Sequence, residues 1–245
     1  MNAIARRFSL LLGVGMLLLL QACATVKSAD ARDPWEPMNR SIYQFNDAID
    51  TVALKPAAQL YVKVLPSMVR TGVNNFLGNL ADVWSIANSA MQLKGQATAE
   101  TFIRINVNTF MGLGGILDVA SEMGIEKRRE DFGQTLGYWG VKPGPYVVLP
   151  LFGPSTLRDA LAFPVDMQGS VTQSLSDEAT RNGLLAVRLV DMRSGLLRTV
   201  DAIKAASLDP YSFVRDAYLQ KRQNDIYDGN PPSRFDYSET PPASR

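Results

Sequence analysis

The sequence contains no histidine and a single cysteine, Cys23. Without histidine there can be no Ser-His-Asp or Cys-His nucleophilic arrangement and no His-ligated metal. One cysteine in a secreted chain cannot form an internal disulfide, so its thiol needs another role. No G-x-x-x-x-G-K-[ST] string occurs, which argues against nucleotide-driven work, and Gly112-x-Gly114-Gly115 lacks the preceding strand and later spacing of a dinucleotide fingerprint. Long basic runs are missing as well. The chain carries 25 basic and 24 acidic residues, a poor match to a nucleic-acid binder. Carboxylates remain the only candidate acid–base groups. Glu122, Glu126, Glu130 and Asp131 lie in a charged stretch that reads as solvated surface, and Asp82, Asp118 and Asp159 each sit beside apolar residues without any sign that two converge. The expectation is that the chain is not an enzyme and uses no cofactor.

What is present begins with a processing segment. Arg6 and Arg7 are followed by an uncharged stretch from Phe8 to Ala22, rich in leucine, that is short for a membrane span of about 20 apolar residues. It ends in Leu20-Gln21-Ala22-Cys23, which resembles the bacterial lipobox. A single fatty chain binds membranes only marginally, but two or more anchor stably, so lipidation at Cys23 predicts a permanent anchor. Ala24 after the cysteine, where an Asp is absent, resembles lipoproteins sorted to the outer membrane. Removal of residues 1–22 takes away two basic residues and leaves 223 residues with a net charge of −1. The expected organisation is a signal peptide over 1–22, a lipidated tether over 23–34, one helical domain over 35–228 and a disordered Pro-rich tail over 229–245.

The domain reads as mainly α with little or no β. Met38, Ile42, Phe45, Ile49 and Val52 recur at spacings of 4, 3, 4 and 3, one helical face opening at Pro37. Pro56 and Pro66 predict short helices over 57–64 and 67–78, with a further helix opening at Asn79 or Ala81, running through Trp84 and Met91 and closing at Gly95. Residues 97–111 read as helix although Ile103, Ile105 and Val107 alternate with polar residues like a strand. Three glycines, Gly112, Gly114 and Gly115, predict a hinge or tight turn before a short apolar helix. Phe132 to Trp139 predicts one or two helical turns, and Tyr146–Leu149 a short strand that nearby prolines keep short. Ser155 is the expected cap of a helix running toward Pro164. Leu185, Leu189, Met192, Leu196, Val200 and Ile203 form an apolar stripe, with Arg188, Asp191, Ser194, Arg198 and Asp201 on another face. Taken alone, this helix fits the core-facing element of a soluble bundle equally well. A last helix is expected from Asp209-Pro210 to about Tyr227.

Three strings carry a resemblance. They are Asp33-Pro34-Trp35-Glu36-Pro37-Met38-Asn39-Arg40 continuing to Phe45-Asn46; Phe132-Gly133-Gln134-Thr135-Leu136-Gly137 with Trp139-Gly140; and Gly144-Pro145-Tyr146 through Leu149-Pro150-Leu151-Phe152-Gly153-Pro154-Ser155-Thr156-Leu157-Arg158-Asp159. Together with the lipobox they resemble the VacJ/MlaA family of outer-membrane lipoproteins over residues 20–228. Pro37 departs from the small or polar residue expected there. The resemblance implies a ring of short amphipathic helices around a central polar channel, held in the periplasmic leaflet of the outer membrane beside trimeric porins. It implies removal of stray phospholipids from the outer leaflet and their transfer to a soluble periplasmic lipid-binding carrier, which maintains lipid asymmetry. Asp33, Pro34, Glu36, Asn39, Arg40, Phe45 and Asn46 are then the family signature, either locking structure or touching lipid. Gly112, Gly114 and Gly115 form a mobile gate, and Arg188, Asp191, Ser194, Arg198 and Asp201 are candidate channel lining. Charged headgroups need a polar path because bare transfer into hydrocarbon costs several kcal/mol. Two alternatives stand beside this reading: a scaffold lipoprotein of an envelope complex, and a carboxylate hydrolase.

Overall fold

A computed structural model describes residues 30–231. The signal segment, Cys23, most of the tether and nearly all of the Pro-rich tail lie outside the described residues. Helix α1 (Glu36–Ile49) runs through a π turn (Asp50–Leu54) into α2 (Lys55–Val64). Pro56 does not break the chain as expected. It has no N–H to donate, and the widened turn at 50–54 absorbs the missing bond and the ring. Pro66 does mark a boundary, and α3 (Ser67–Met91) then continues for 25 residues. The expected break at Asn79 is absent because Asn79 does not cap: its side chain reaches sideways to Thr109 Oγ1 at 3.1 Å. Gly95 opens α4 (Gly95–Phe110) instead of closing α3, so the ambiguous stretch 97–111 is helical.

The glycine turn leads to α5 (Val119–Glu122), capped by Asp118, and then to α6 (Phe132–Tyr138), capped by Asp131. A hairpin pairs β1 (Tyr146–Leu149) with β2 (Gly153–Thr156) in antiparallel register, Tyr146 opposite Thr156 and Leu149 opposite Gly153. Helix α7 (Leu157–Gly169) is capped one residue later than expected, by Thr156 and not Ser155. It also runs past Pro164, because Asp166 is held by Trp84 Nε1 at 2.8 Å and by the Phe132 amide at 2.7 Å. A short 3₁₀ turn (Val171–Ser174) precedes α8 (Glu178–Ala206), and α9 (Pro210–Ile226) closes the domain.

These elements form a closed circuit. Helix α1 packs on β1, β1 on α7, α7 on α6, α6 on α3, α3 on α8 and α8 on α2, which returns through the π turn to α1. The conventional apolar core is small: Tyr146, Val148, Tyr211 and Leu219, with Ile42, Tyr43 and Tyr218 against them. Elsewhere the distribution is inverted. Among the described residues, twenty-one polar or charged residues are buried against eleven apolar ones, so most of the interior is held by hydrogen bonds and ion pairs. Much of both apolar stripes is exposed, although Ile42 packs on the core and Val200 and Ile203 are half-buried. Met38, Phe45, Ile49 and Val52 of the first stripe are exposed, and so are Leu185, Leu189, Met192 and Leu196 of α8. Among the described residues no helix is long and apolar enough to cross a membrane.

Candidate functional site: a polar interior inside an apolar shell

Helix α3 supplies the longest polar wall. Asn79, Asp82, Ser85, Asn88, Ser89 and Gln92 recur every three or four residues and are all buried. This stripe stands in the sequence at helical spacing, on the same helix as the apolar Trp84 and Met91. Its partners come from the loop before α6 and from α6 itself. Ser85 Oγ and Glu130 exchange backbone bonds, Asn88 accepts from Thr135 Oγ1 at 2.8 Å, and Gln92 donates to Glu130 Oε2 at 2.9 Å and to Thr135. Glu130 therefore lies inside, and the expectation that the whole 122–131 stretch is solvated fails there. Burial raises the Glu130 pKa, against the opposing pull of Gln92 and Lys94. Asp82 is buried with neither oxygen hydrogen-bonded. Its nearest cation is Lys127 Nζ at 3.8 Å, and burial raises its pKa too.

The second family string builds an arginine–carboxylate cluster. Arg222 of α9 forks onto Asp131 through two contacts of 2.6 Å and onto Asp159 at 2.9 and 3.0 Å. Asp159 also accepts from Tyr218 and from Arg158. Burial raises the pKa of both carboxyls, but the guanidinium contacts outweigh it and hold both below the usual range. The glycines of the string follow directly. A Cβ at Gly133 would sit 2.4 Å from Arg222 Nη2, and one at Gly137 would sit 2.6 Å from Arg158 Nη1. Side-chain-free positions on α6 let these guanidiniums lie flat against the helix.

The first string is a latch. Asn39 donates to Asp33 at 2.8 Å and to the Tyr146 carbonyl at 3.0 Å, and accepts from the Val148 amide at 2.8 Å. Seven residues on, Asn46 repeats the pattern with the Leu149 carbonyl and the Leu151 amide. The two amides thus extend the open edge of β1 as a further strand would. Asp33 is wholly buried and accepts from Tyr211 Oη at 2.5 Å. Arg40 pairs with Asp209 and Glu36 and covers the Tyr211 ring at 4.3 Å. Pro37 sits in the first turn of α1, where a proline fits. Pro34 and Phe45 are exposed.

The glycine turn is tightly tied. Gly114 and Gly115 have φ of +75° and +95°, and the Gly115 amide bonds to the Asn108 carbonyl at 2.8 Å. A Cβ at Gly115 would strike Asn79, and one at Gly112 would strike the Leu117 and Asn108 carbonyls. Asp118, just after the turn, receives Arg104 Nη2 at 2.8 Å and Asn108 at 3.0 Å. Burial pushes its carboxyl up, but Ser121, Asn108 and Arg104 overcome this and hold it at about 2. Phe110, Met111 and Leu113 project from the turn, exposed.

Of the α8 stripe, Arg188 alone lines the polar cavity described below. Asp191 is buried and consumed by Tyr61 Oη at 3.1 Å and Asn74 at 2.9 Å, tying α2, α3 and α8 together. Ser194 bonds back to the Asp191 carbonyl, Asp201 pairs with Lys55 at 2.7 Å, and Arg198 is exposed. Arg193, which the stripe does not include, is buried against Asp50. Two spaces flank the α3–α8 seam. One is an apolar cleft of about 850 Å³ lined by Met68, Val69, Val73, Phe76, Ile116 and Val187, among others. The other is a polar cavity of about 220 Å³ lined by Trp84, Ser85, Arg129, Gln134, Asp166 and Arg188, among others.

A closed helical circuit with hydrogen-bonded polar groups inside and large apolar side chains outside belongs to the class of proteins built for contact with lipid, since water would favour the opposite arrangement. The comparisons with known proteins agree. The family described as MlaA lipoprotein matches residues 31–225, and the chain belongs to that family. The intermembrane phospholipid transport system lipoprotein MlaA of Escherichia coli strain K12 is 34% identical, covering 86% of this chain and 85% of that one. The protein of the same description from Haemophilus influenzae is 31% identical over 86% of this chain and 88% of its own. An uncharacterised protein of Rickettsia bellii is 33% identical over 79% of this chain and 76% of its own. A solved structure concerned with maintenance of bacterial outer membrane lipid asymmetry superposes with a TM-score of 0.70 at 32% identity, covering 79% of this chain and 98% of that one. The mainly α architecture is shared with it.

Proposed function

We propose that this chain is an outer-membrane lipoprotein of an intermembrane phospholipid transport system. It removes mislocalised phospholipids from the outer leaflet and passes them to a soluble periplasmic carrier, which maintains the lipid asymmetry of the membrane. The observation that carries this reading is the inverted distribution: many large apolar side chains are exposed, around an interior in which buried polar residues outnumber buried apolar ones. A headgroup crossing a leaflet loses several kcal/mol of hydration unless such groups replace water. Relatives described as phospholipid transport lipoproteins support the substrate class. The finer elements of the reading are acyl chains on Cys23, residence in the periplasmic leaflet, a neighbouring trimeric porin, the glycine turn as a gate, and passive passage without catalysis.

Deletion of the gene, followed by labelling of phospholipid at the cell surface, tests the proposal. Surface phospholipid should rise and return to the original level on complementation. An unchanged surface would favour a scaffold role, and release of lysophospholipid by the purified chain would favour a hydrolase.

A further inference from the structure

The cavity between α3, α6 and α8 contains two guanidiniums that have no ion-pair partner. It has three carboxylates in its lining, and each is engaged. Glu130 is held by Gln92 and Lys94, Asp131 by Arg222, and Asp166 by Trp84 and the Phe132 amide. Asp82, the next carboxylate nearby, faces Lys127. The two arginines of the lining, the exposed Arg129 and the half-buried Arg188, have no ion pair or side-chain hydrogen bond with any described residue, whereas Arg104, Arg193, Arg215 and Arg222 are each matched to carboxylates. Burial, together with the nearby Arg129 charge, lowers the Arg188 pKa. Two guanidiniums lining one cavity without a direct ion-pair partner offer donors to an anion, and the fork of donors on each suits a phosphate. The cavity of about 220 Å³ has room for a phosphate group with several waters, each of which occupies about 30 Å³ in the liquid.

The neighbouring cleft names the kind of phosphate. Ala81 of the cavity lies one turn beyond Leu77 of the cleft on α3, and Arg188 follows Val187 on α8, so the apolar cleft gives way to the polar cavity along one helix pair. We infer that Arg129 and Arg188 form a station for the phosphodiester of a glycerophospholipid whose acyl chain lies in the cleft beside Met68, Val73 and Phe76. The inference rests on the transport reading above and adds to it the place where the cargo pauses and the groups that hold it. Gln134 and Trp84 border the same space.

The test uses the full lipidated chain in micelles of an uncharged, phosphate-free detergent. Titration with phosphatidylglycerol, with diacylglycerol of the same chains and with inorganic phosphate is compared for wild type, R129Q/R188Q and R129K/R188K. Loss of two charge-assisted contacts should weaken phosphatidylglycerol binding by about tenfold or more in the glutamine pair. The lysine pair should keep most of the affinity, and diacylglycerol binding should be the same in all three. Phosphatidylglycerol binding unchanged in R129Q/R188Q overturns the station. So does an equal fall for diacylglycerol, which would mean a collapsed cleft, and so does inorganic phosphate binding as tightly as the lipid. In cells, a deletion that raises surface phospholipid and is fully rescued by R129Q/R188Q overturns the station while leaving the transport reading intact. A deletion without effect removes both.

Discussion

At the scale of single residues, the molecule is stabilised by side chains that bond to backbone or charge where an ordinary core would place a methyl. Asn39 is the clearest case. Its three bonds satisfy Asp33, the Tyr146 carbonyl and the Val148 amide, all in a buried setting. Asn39→Ala leaves the Tyr146 carbonyl and the Val148 amide without this partner and removes one of the donors to Asp33, which keeps Tyr211, and is expected to cost about 3 kcal/mol, read from denaturant midpoints in detergent. Asn39→Asp should be worse, since it adds a charge beside Asp33. The Arg222 cluster gives a prediction in pH. Asp131 and Asp159 have folded pKa values below their unfolded ones, so they contribute stability above the unfolded value of about 4 and lose it as pH falls through that value toward the folded ones. Arg222→Gln should cost about 3 kcal/mol at pH 7, less than for a wholly buried triad because the Asp131 side chain keeps 36% of its exposure. The deficit should narrow as pH is lowered toward 3. A deficit independent of pH would show that packing against Gly133, and not charge, is what Arg222 contributes.

At the scale of elements, the glycine turn and the α3 stripe are coupled. Gly115 needs its positive φ and also lies against Asn79, whereas Gly114 needs only the φ and has open space around its missing Cβ. Gly115→Ala should therefore destabilise more than Gly114→Ala, by about 2 kcal/mol against about 1. Thermal melts of the two variants check the order. If the turn also gates the passage, the Gly114→Ala variant should alter outer-membrane permeability to detergent while its melting temperature falls by only about 2–4 °C. Wild-type permeability would remove the gating role. The turn, α5 and the end of α4 move as one piece in this view, because Arg104 and Asn108 clamp Asp118. Helix α8 is likewise tied in along its polar side, through Asp191 to α2 and α3 and through Arg193 to the π turn.

At the scale of the whole molecule, the outward apolar stripes determine where the protein resides. Leu189 and Leu196 of α8 are exposed, so Leu189→Glu with Leu196→Glu should leave the fold intact and weaken partition into vesicles of outer-membrane lipid composition. The change should be about tenfold or more, since each buried leucine contributes about 2 kcal/mol and a carboxylate replaces it. A melting temperature that collapses with these substitutions would place the stripe inside a core. The closed circuit from α1 through β1, α7, α6, α3 and α8 to α2 explains why so few apolar side chains suffice. Each element is held by two neighbours, and the interior is closed by ion pairs that water would weaken.

The sequence by itself determined the helical periods, the helix starts at Pro37 and at Asp209-Pro210, the short strand at Tyr146–Leu149, the exclusion of histidine chemistry and the family, because each depends on spacing or on residue identity along the chain. It could not show which stripe of an amphipathic helix faces inward, since the 3.6-residue period marks two faces and is silent about the solvent. Only the tertiary structure decided that the leucines of α8 look out and Asp191 looks in, that Pro56 and Pro164 are carried through and not obeyed, and that Glu130 is buried. It also brought Arg129 to Arg188 and Arg222 to Asp131 and Asp159, pairs separated by many turns of chain. Partners so distant meet only when the circuit closes, and no local pattern records the closure.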